Sequence, residues 1–151
     1  YILGKPQVID GKVFVRNEIW IANNDGSNKQ FIYRAKNLAR PGVGGAADPE
    51  FSSDNKKLIF SEENIDVKPN FQVPGLDTAH DLWTINLDGS GLTRLTQPGP
   101  ISIIPDWKGN VVIFTEFNGA DKYTGASSVL VDGNNVSKRV RQGAITVKWI
   151  P

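Results

Sequence analysis

The chain contains no cysteine and no methionine, and His80 is its one histidine. The lack of cysteine excludes disulfides, thiol nucleophiles and thiolate metal sites. A single histidine excludes multi-histidine zinc centres and leaves one residue for any Ser-His-Asp arrangement. The sequence also lacks the Gly-x-x-x-x-Gly-Lys and Gly-x-Ser-x-Gly patterns of phosphate-binding and nucleophile loops. It therefore predicts a protein that is not an enzyme, with no catalytic residue, no metal and no cofactor.

Charge of one sign and long apolar runs are also missing. The 151 residues carry 17 Lys and Arg against 16 Asp and Glu, so no clustered positive field favours nucleic-acid binding. No apolar run approaches the roughly 18 residues of a membrane-spanning helix. We therefore expect neither a nucleic-acid partner nor membrane insertion. Because residue 1 is tyrosine rather than methionine, we expect a processed chain or a piece of a longer one.

The apolar residues that are present favour strands. Val and Ile number 13 and 14, against nine Leu and nine Ala, and β-branched side chains suit a pleated surface. Gly and Pro add 15 and 9 residues that interrupt regular structure. The composition predicts an all-β domain of short strands and tight turns.

A repeated motif combines an acid, an aliphatic residue and Trp with a later Asp-Gly turn. Glu18-Ile19-Trp20 and Asp25-Gly26-Ser27 recur in register as Asp81-Leu82-Trp83 and Asp88-Gly89-Ser90. A looser third copy, without the Trp, ends in Asp132-Gly133-Asn134. Asp-Gly between apolar runs favours a hairpin because glycine accepts positive φ, so we interpret Asp25, Gly26, Asp88, Gly89, Asp132 and Gly133 as structural turns.

A second motif alternates with the first. Asp48-Pro49-Glu50-Phe51 with the strand pattern at 57–62 recurs as Ile104-Pro105-Asp106-Trp107 with that at 112–116. An earlier version covers 6–15, and a fourth copy begins at 146–149. Two hairpins per repeat predict four-stranded antiparallel modules at about 6–34, 48–96 and 103–141, plus an extra strand at 145–150. Such sheets bury both faces only by stacking on one another.

The motif Leu82-Trp83 with Asp88-Gly89-Ser90, followed by Leu-Thr and an x-Pro-x-aromatic strand, resembles the WD-type β-propeller repeat of TolB. The resemblance covers about residues 6–149. It implies propeller blades and an extracytoplasmic protein, whether periplasmic, secreted or on the cell surface. TolB is the periplasmic component of the Tol–Pal system, so the resemblance also implies docking to other envelope proteins.

Three blades and one strand are fewer than a closed propeller contains. We expect a second copy or the remainder of a larger propeller to cover the end faces. The alternative is that the strand at 145–150 folds back into a compact sandwich or adds to a neighbour's sheet edge.

Function is expected at the connections 35–47, 63–80 and 117–126, which propeller topology places at one end of the sheets. Long loops are uncommon without a role. The candidate binding residues are Arg40, Phe71, His80, Phe117 and Tyr123. Acids near 63–80 (Glu62, Glu63, Asp66, Asp77 and Asp81) lack the spacing of a calcium loop and are interpreted as solvated charge. The leading hypothesis is a non-catalytic protein-binding or scaffold module.

Two further hypotheses stay open at this point. One is a self-assembling subunit of a surface layer or filament, joined through its end blades and C-terminal strand. The other is the propeller portion of a peptidase whose catalytic domain lies outside this sequence.

Overall fold

A computed structural model describes residues 1–36, 45–70, 78–120, 122–131, 138–143 and 147–149. These residues form β-strands and turns, and the described part holds no helix long and apolar enough to cross a membrane. The strands are β1 (Ile2–Ile9), β2 (Lys12–Ile21), β3 (Gln30–Arg34), β4 (Ala46–Phe51), β5 (Lys57–Asn64), β6 (Ala79–Asn86), β7 (Thr93–Arg94), β8 (Ile101–Lys108), β9 (Val111–Asn118), β10 (Tyr123–Leu130) and β11 (Lys138–Gln142). The prediction of an all-β chain is therefore confirmed.

The strands pair with their neighbours in sequence and form three modules. Module 1 is the three-stranded sheet β1-β2-β3. Module 2 is the antiparallel series β4 to β7, and module 3 the antiparallel series β8 to β11. A single parallel bridge between His80 and Ile101 connects modules 2 and 3. Antiparallel neighbours suit the tight Asp-Gly and Lys-Gly-Asn turns that join several of these strands.

Module 1 departs from the prediction of four strands at 6–34. β2 runs without a break from Lys12 to Ile21, and β1 pairs with it along its whole length, from Ile2 opposite Ile19 to Ile9 opposite Lys12. The expected division between 15 and 18 was wrong because no glycine, proline or turn-forming pair stands there, so the strand continues.

Two apolar clusters show how the modules pack. Phe60 of β5 lies in one cluster with Ile19 and Tyr33 of module 1. Its neighbour Ile59 lies in the other cluster with Trp107 and further residues of module 3. Because successive side chains of a strand point to opposite faces, β5 is covered on both sides. The modules stack face to face, as the amphipathic strands predict.

The segment predicted as an extra strand at 145–150 is described at 147–149 alone, where it has no regular secondary structure. The backbone N–H of Trp149 donates to Asp106 Oδ2 at 2.6 Å, and Lys148 Nζ lies 4.0 Å from Glu50 Oε2. These residues therefore lie beside β8 and β4, the first strands of modules 3 and 2.

Candidate functional site at the loop end of the sheets

One end of the sheets, which we call the turn end, holds short connections that bond to one another. The backbone N–H of Gly109 donates to Ser53 Oγ at 3.0 Å, and Gln30 Nε2 donates to the carbonyl of Leu87 at 3.0 Å. The first contact joins turns of modules 3 and 2, and the second joins the start of β3 in module 1 to the residue after β6 in module 2. The turn end is thus a network of tight hairpins.

The opposite end, which we call the loop end, gathers the longer connections. The backbone N–H of Lys36 donates to Glu62 Oε1 at 2.8 Å, and that of Gly45 donates to Glu63 Oε2 at 3.1 Å. These bonds tie both ends of the connection 35–47 to the last residues of β5, where the connection 63–80 begins. The described parts of these two predicted loops therefore lie at the same end of the molecule.

Asn70 ties the connection 63–80 to module 3. Its side chain donates to Asn118 Oδ1 at 3.0 Å and accepts the backbone N–H of Gly119 at 3.0 Å. Its own N–H donates to the carbonyl of Gly99. Three connections therefore meet around one asparagine.

The Asp10-Gly11 turn between β1 and β2 lies on the loop-end side of the sheets. Asn17 bonds to the backbone of Ala35 and Ala46, so it lies level with the ends of β3 and β4 next to Glu62. Residues 5–16 continue beyond that level. They form a two-stranded ribbon that projects from the loop end.

Buried acids stand where β5 and β6 reach this end. Glu62 is 3% exposed, and its Oε2 accepts the Tyr33 hydroxyl at 2.9 Å. Burial, with the neighbouring Glu62 carboxylate, raises the pKa of Tyr33 above its usual range, so this phenol remains a proton donor. Tyr33, which the sequence reading did not select, therefore links module 1 to the loop end of module 2.

Asp81 lies opposite Glu62 in the strand pair and is fully buried. Its Oδ2 accepts Asn64 Nδ2 at 2.9 Å and lies 3.7 Å from Arg94. Its Oδ1 has no hydrogen-bond partner within the described part of the chain. Burial raises the pKa of Asp81, against the opposing effects of Asn64, Arg94 and His80. Asn64 was not among the residues selected from the sequence, because only acids and aromatic residues suggested a site there.

Glu18 occupies the same repeat position as Asp81 in a different environment. Its carboxylate accepts Trp20 Nε1 at 2.9 Å and pairs with Arg34 at 2.8 Å. The hydrogen bond from Trp20 is the largest cause that lowers the pKa of Glu18. Burial acts in the opposite direction, and Arg34 lowers the pKa further. Module 1 thus supplies Glu18 with the donors that Asp81 lacks.

His80 lies in β6, opposite Glu63, and is 4% exposed. Its Nδ1 is 3.0 Å from the carbonyl oxygen of Thr78, and that residue's hydroxyl donates to Glu63 Oε1 at 2.6 Å. This is the environment of a hydrogen-bonded structural histidine, and the side chain does not reach the surface.

The predicted long loop at 117–126 is wrong. β9 ends at Asn118 and β10 begins at Tyr123, so the connection is four residues, 119–122. The alternation of apolar and small residues from 123 onward continues the ladder, which pairs Phe117 with Thr124. Phe117 is therefore a partly buried strand residue.

Tyr123 is 6% exposed rather than displayed to a partner. Its hydroxyl donates to the backbone carbonyls of Ala126 and Arg141, and the Arg139 guanidinium lies 4.2 Å from its ring centre. The side chain fastens β10 to β11. Of the remaining predicted residues, Arg40, Phe71, Asp132 and Gly133 lie outside the described residues.

The two described Asp-Gly-Ser turns carry the same hydrogen bonds. Asp25 Oδ1 accepts the N–H and hydroxyl of Ser27 at 2.9 and 2.6 Å, and Asp88 Oδ1 accepts those of Ser90 at the same distances. The serine hydroxyl is the largest cause that lowers the pKa of each aspartate. Gly26 and Gly89 have φ of 79° and 83°. Asp25, Gly26, Asp88 and Gly89 therefore form hydrogen-bonded turns.

The described residues contain no group of three His, Cys, Asp or Glu side chains placed to hold a metal ion. The loop end combines buried carboxylates, amide side chains and converging connections. This arrangement suits recognition at a surface whose base is held rigid by internal hydrogen bonds.

No protein-family model matches the chain, and no curated protein matches it. Its structure resembles the solved structure of a "putative TolB" from Agrobacterium tumefaciens, with 15% sequence identity and a TM-score of 0.52. The match covers 95% of this chain and 48% of the solved one. The chain therefore has a TolB-like all-β fold that spans about half the length of that structure.

Proposed function

We propose that this chain is a segment of a TolB-like β-propeller, with modules 1 to 3 as consecutive blades. In this proposal it acts as a non-catalytic protein-binding or scaffold module outside the cytoplasm. The likeness to a TolB structure supports the fold. The location and the protein partner are inferred from that likeness together with the repeated Trp and Asp-Gly-Ser motifs.

The loop end is the proposed binding surface. The observation that carries this proposal is that the described ends of the connections after β3, after β5 and after β9 converge through Lys36, Glu62 and Asn70. Connections on a rigid sheet scaffold are common binding elements. The turn end offers mostly short hairpins closed on themselves, so it presents fewer adaptable groups to a partner.

A matched pair of exposed residues tests which end binds. Ile65 begins the connection after β5 at the loop end and is 51% exposed, and Phe51 ends β4 at the turn end and is 47% exposed. A photo-crosslinking amino acid at position 65 is expected to capture a partner from an envelope-protein extract, identified by mass spectrometry, while position 51 captures none. Capture from position 51 alone, or from both positions equally, would contradict the proposal.

A further inference from the structure

Each module has a row of three side chains that lie side by side across neighbouring strands. Directly paired side chains share one face of a sheet, and the strand ladders define which residues are paired. The rows of modules 1, 2 and 3 are Tyr1–Trp20–Phe31, Phe60–Trp83–Arg94 and Phe114–Ser127–Arg139. The three rows therefore mark equivalent faces of the three modules.

In modules 2 and 3 the preceding module covers this face. Phe60 is fully buried in one cluster with Ile32 of module 1, and Phe114 is fully buried in one cluster with Leu95 of module 2. Ile32 and Leu95 hold the same position, since each directly follows the last residue of its own row. A branched aliphatic side chain of the preceding module thus covers the aromatic residue that begins the row.

The row of module 1 is exposed instead. Tyr1 is 51% exposed and Phe31 is 43% exposed, and Leu3 on the same face is exposed as well. The ring of Trp20 meets that of Phe31 edge-on, with the ring centres 5.5 Å apart. An exposed patch of aromatic and aliphatic side chains is typical of the centre of a protein interface.

The acid on this face does not oppose further burial. Glu18 is itself buried, and its carboxylate accepts Trp20 Nε1 at 2.9 Å and pairs with Arg34 at 2.8 Å. A paired and hydrogen-bonded carboxylate can be covered by apolar side chains without leaving an unpaired charge. Module 2 has the same feature on its equivalent face, where Glu62 is buried against the hydroxyl of Tyr33 from module 1.

Module 3 carries the kind of side chain that such a face accepts. Val140 directly follows the row of module 3, which is the position of Ile32 and Leu95, and it is 60% exposed. Modules 1 and 3 share a further detail, because the strand ladder skips one residue at Ile32 and at Val140. The exposed row of module 1 and the exposed Val140 of module 3 are therefore the two sides of the contact that already joins successive modules.

From these observations we infer that a second copy of this chain covers the row of module 1 with the Val140 face of its module 3. Such a contact is head to tail, so it either closes a ring or extends a filament. A ring of two copies is favoured because twice three modules fall within the roughly four to eight blades of closed propellers, and one chain spans 48% of the matched solved structure. This inference rests on the proposed function, in which the modules are consecutive blades.

Light scattering of the intact 151-residue chain measures the association. The expected mass is twice 16.6 kDa, and Phe31→Lys or Val140→Lys should each lower the mass twofold, because a charge is buried against apolar side chains. Phe51→Lys is the matched control, since Phe51 is a similarly exposed phenylalanine in module 2, and it should leave the pair intact. Amide spectra show whether each variant is folded.

The lack of cysteine allows a second measurement that leaves the contact unbroken. Lys29 precedes Phe31 by two residues, the position of Leu92 in module 2, which packs against the cluster that contains Ile32. A mixture of Lys29→Cys and Val140→Cys chains, treated with a bifunctional maleimide, is expected to give links between positions 29 and 140. Phe51→Cys in place of Lys29→Cys should give none.

A mass of one chain at every concentration, a larger polymer, or a pair that survives both Phe31→Lys and Val140→Lys would overturn the inference. Links that form more readily between two Lys29→Cys chains would indicate that two copies of module 1 face each other, and would overturn it as well. Capture of a partner from position 65 by a chain that stays monomeric would remove the second copy and leave the loop-end function standing. A pair without capture would do the reverse.

Discussion

The acids Glu18 and Asp81, at one repeat position, show how far equivalent positions can differ in energy. Glu18 receives Trp20 and Arg34 at hydrogen-bond distance, whereas Asp81 is buried with one oxygen lacking a partner in the described structure. An unsatisfied buried polar atom costs roughly 1–3 kcal/mol. The sequence predicted the shared position, but it could not predict this difference, which depends on donors from other strands.

Asp81→Asn is expected to raise the free energy of unfolding at pH 7 by about 1 kcal/mol, because it removes a charge whose burial is poorly compensated. The new amide side chain still accepts a hydrogen bond from Asn64 through its oxygen. It loses the ion pair with Arg94, which is the longer of the two contacts. Urea denaturation measures the change. Ser127→Ala is the control, since Ser127 Oγ is also buried without a partner in the described part but carries no charge. A loss of stability in Asp81→Asn would contradict this view of the site.

The difference in stability between Asp81→Asn and the parent should depend on pH, and the direction follows from the pKa of Asp81. The pKa of Asp81 is raised in the folded state, so its protonated form favours folding. That contribution is complete below the ordinary value of 3.8 and is lost as the pH rises through the higher folded-state pKa. The stability difference between Asp81→Asn and the parent should therefore grow with pH across this window. A stability difference that shrinks with rising pH would contradict a raised pKa of Asp81 in the folded state.

At the scale of the strands, a bulge recurs in modules 2 and 3. The ladder shifts between Ala47 and Glu50 in β4 and between Ile103 and Asp106 in β8. In each case the residue before proline, Asp48 or Ile104, has a φ near +50°. Aspartate tolerates this conformation, but a β-branched side chain is strained there. The repeated Asp48-Pro49 and Ile104-Pro105 motifs predicted that these two strands are equivalent. The strain at Ile104 could not be predicted, because it depends on the backbone angle φ that the structure shows.

Ile104→Asn is expected to stabilise the chain by about 0.5–1 kcal/mol, because asparagine tolerates positive φ better than isoleucine. Part of the gain is offset by the loss of a half-buried apolar side chain. The neighbouring Ile103→Asn, at a position without positive φ, should lose stability. Midpoints of urea unfolding compare the two. Destabilisation of equal size in both variants would show that φ at Ile104 is not strained.

Strand prediction worked where turn residues punctuate the sequence and failed where they do not. In module 2 the strand pattern read at 57–62 lies within β5 (Lys57–Asn64), and the turn residues Ser53-Asp54-Asn55 separate it from β4. β2 and the β9–β10 hairpin were mispredicted because their continuation depends on cross-strand pairing. Register with a distant strand is not a local property of the sequence.

For the whole molecule, stacking of successive sheets could be inferred from amphipathic strands that cannot bury both faces alone. The pattern of Phe60 and Ile59 on opposite faces of β5 agrees with it. The composition of the loop end was less predictable. Tyr33, Asn64 and Asn70 reach it from separate segments, and none of them belongs to a recognisable motif. Polar side chains of this kind gain their role from tertiary neighbours.

The central claim is that modules 1 and 2 pack directly on each other, and a double-mutant cycle between Tyr33 and Phe60 tests it most directly. Their ring centres lie 4.8 Å apart across the two modules. Unfolding free energies of Tyr33→Leu, Phe60→Leu and the double variant should give a coupling of about 0.5–1.5 kcal/mol. The same cycle between Tyr33 and Phe114, which is buried in the other cluster, should be additive within about 0.5 kcal/mol. Additivity between Tyr33 and Phe60 would contradict the stacked arrangement.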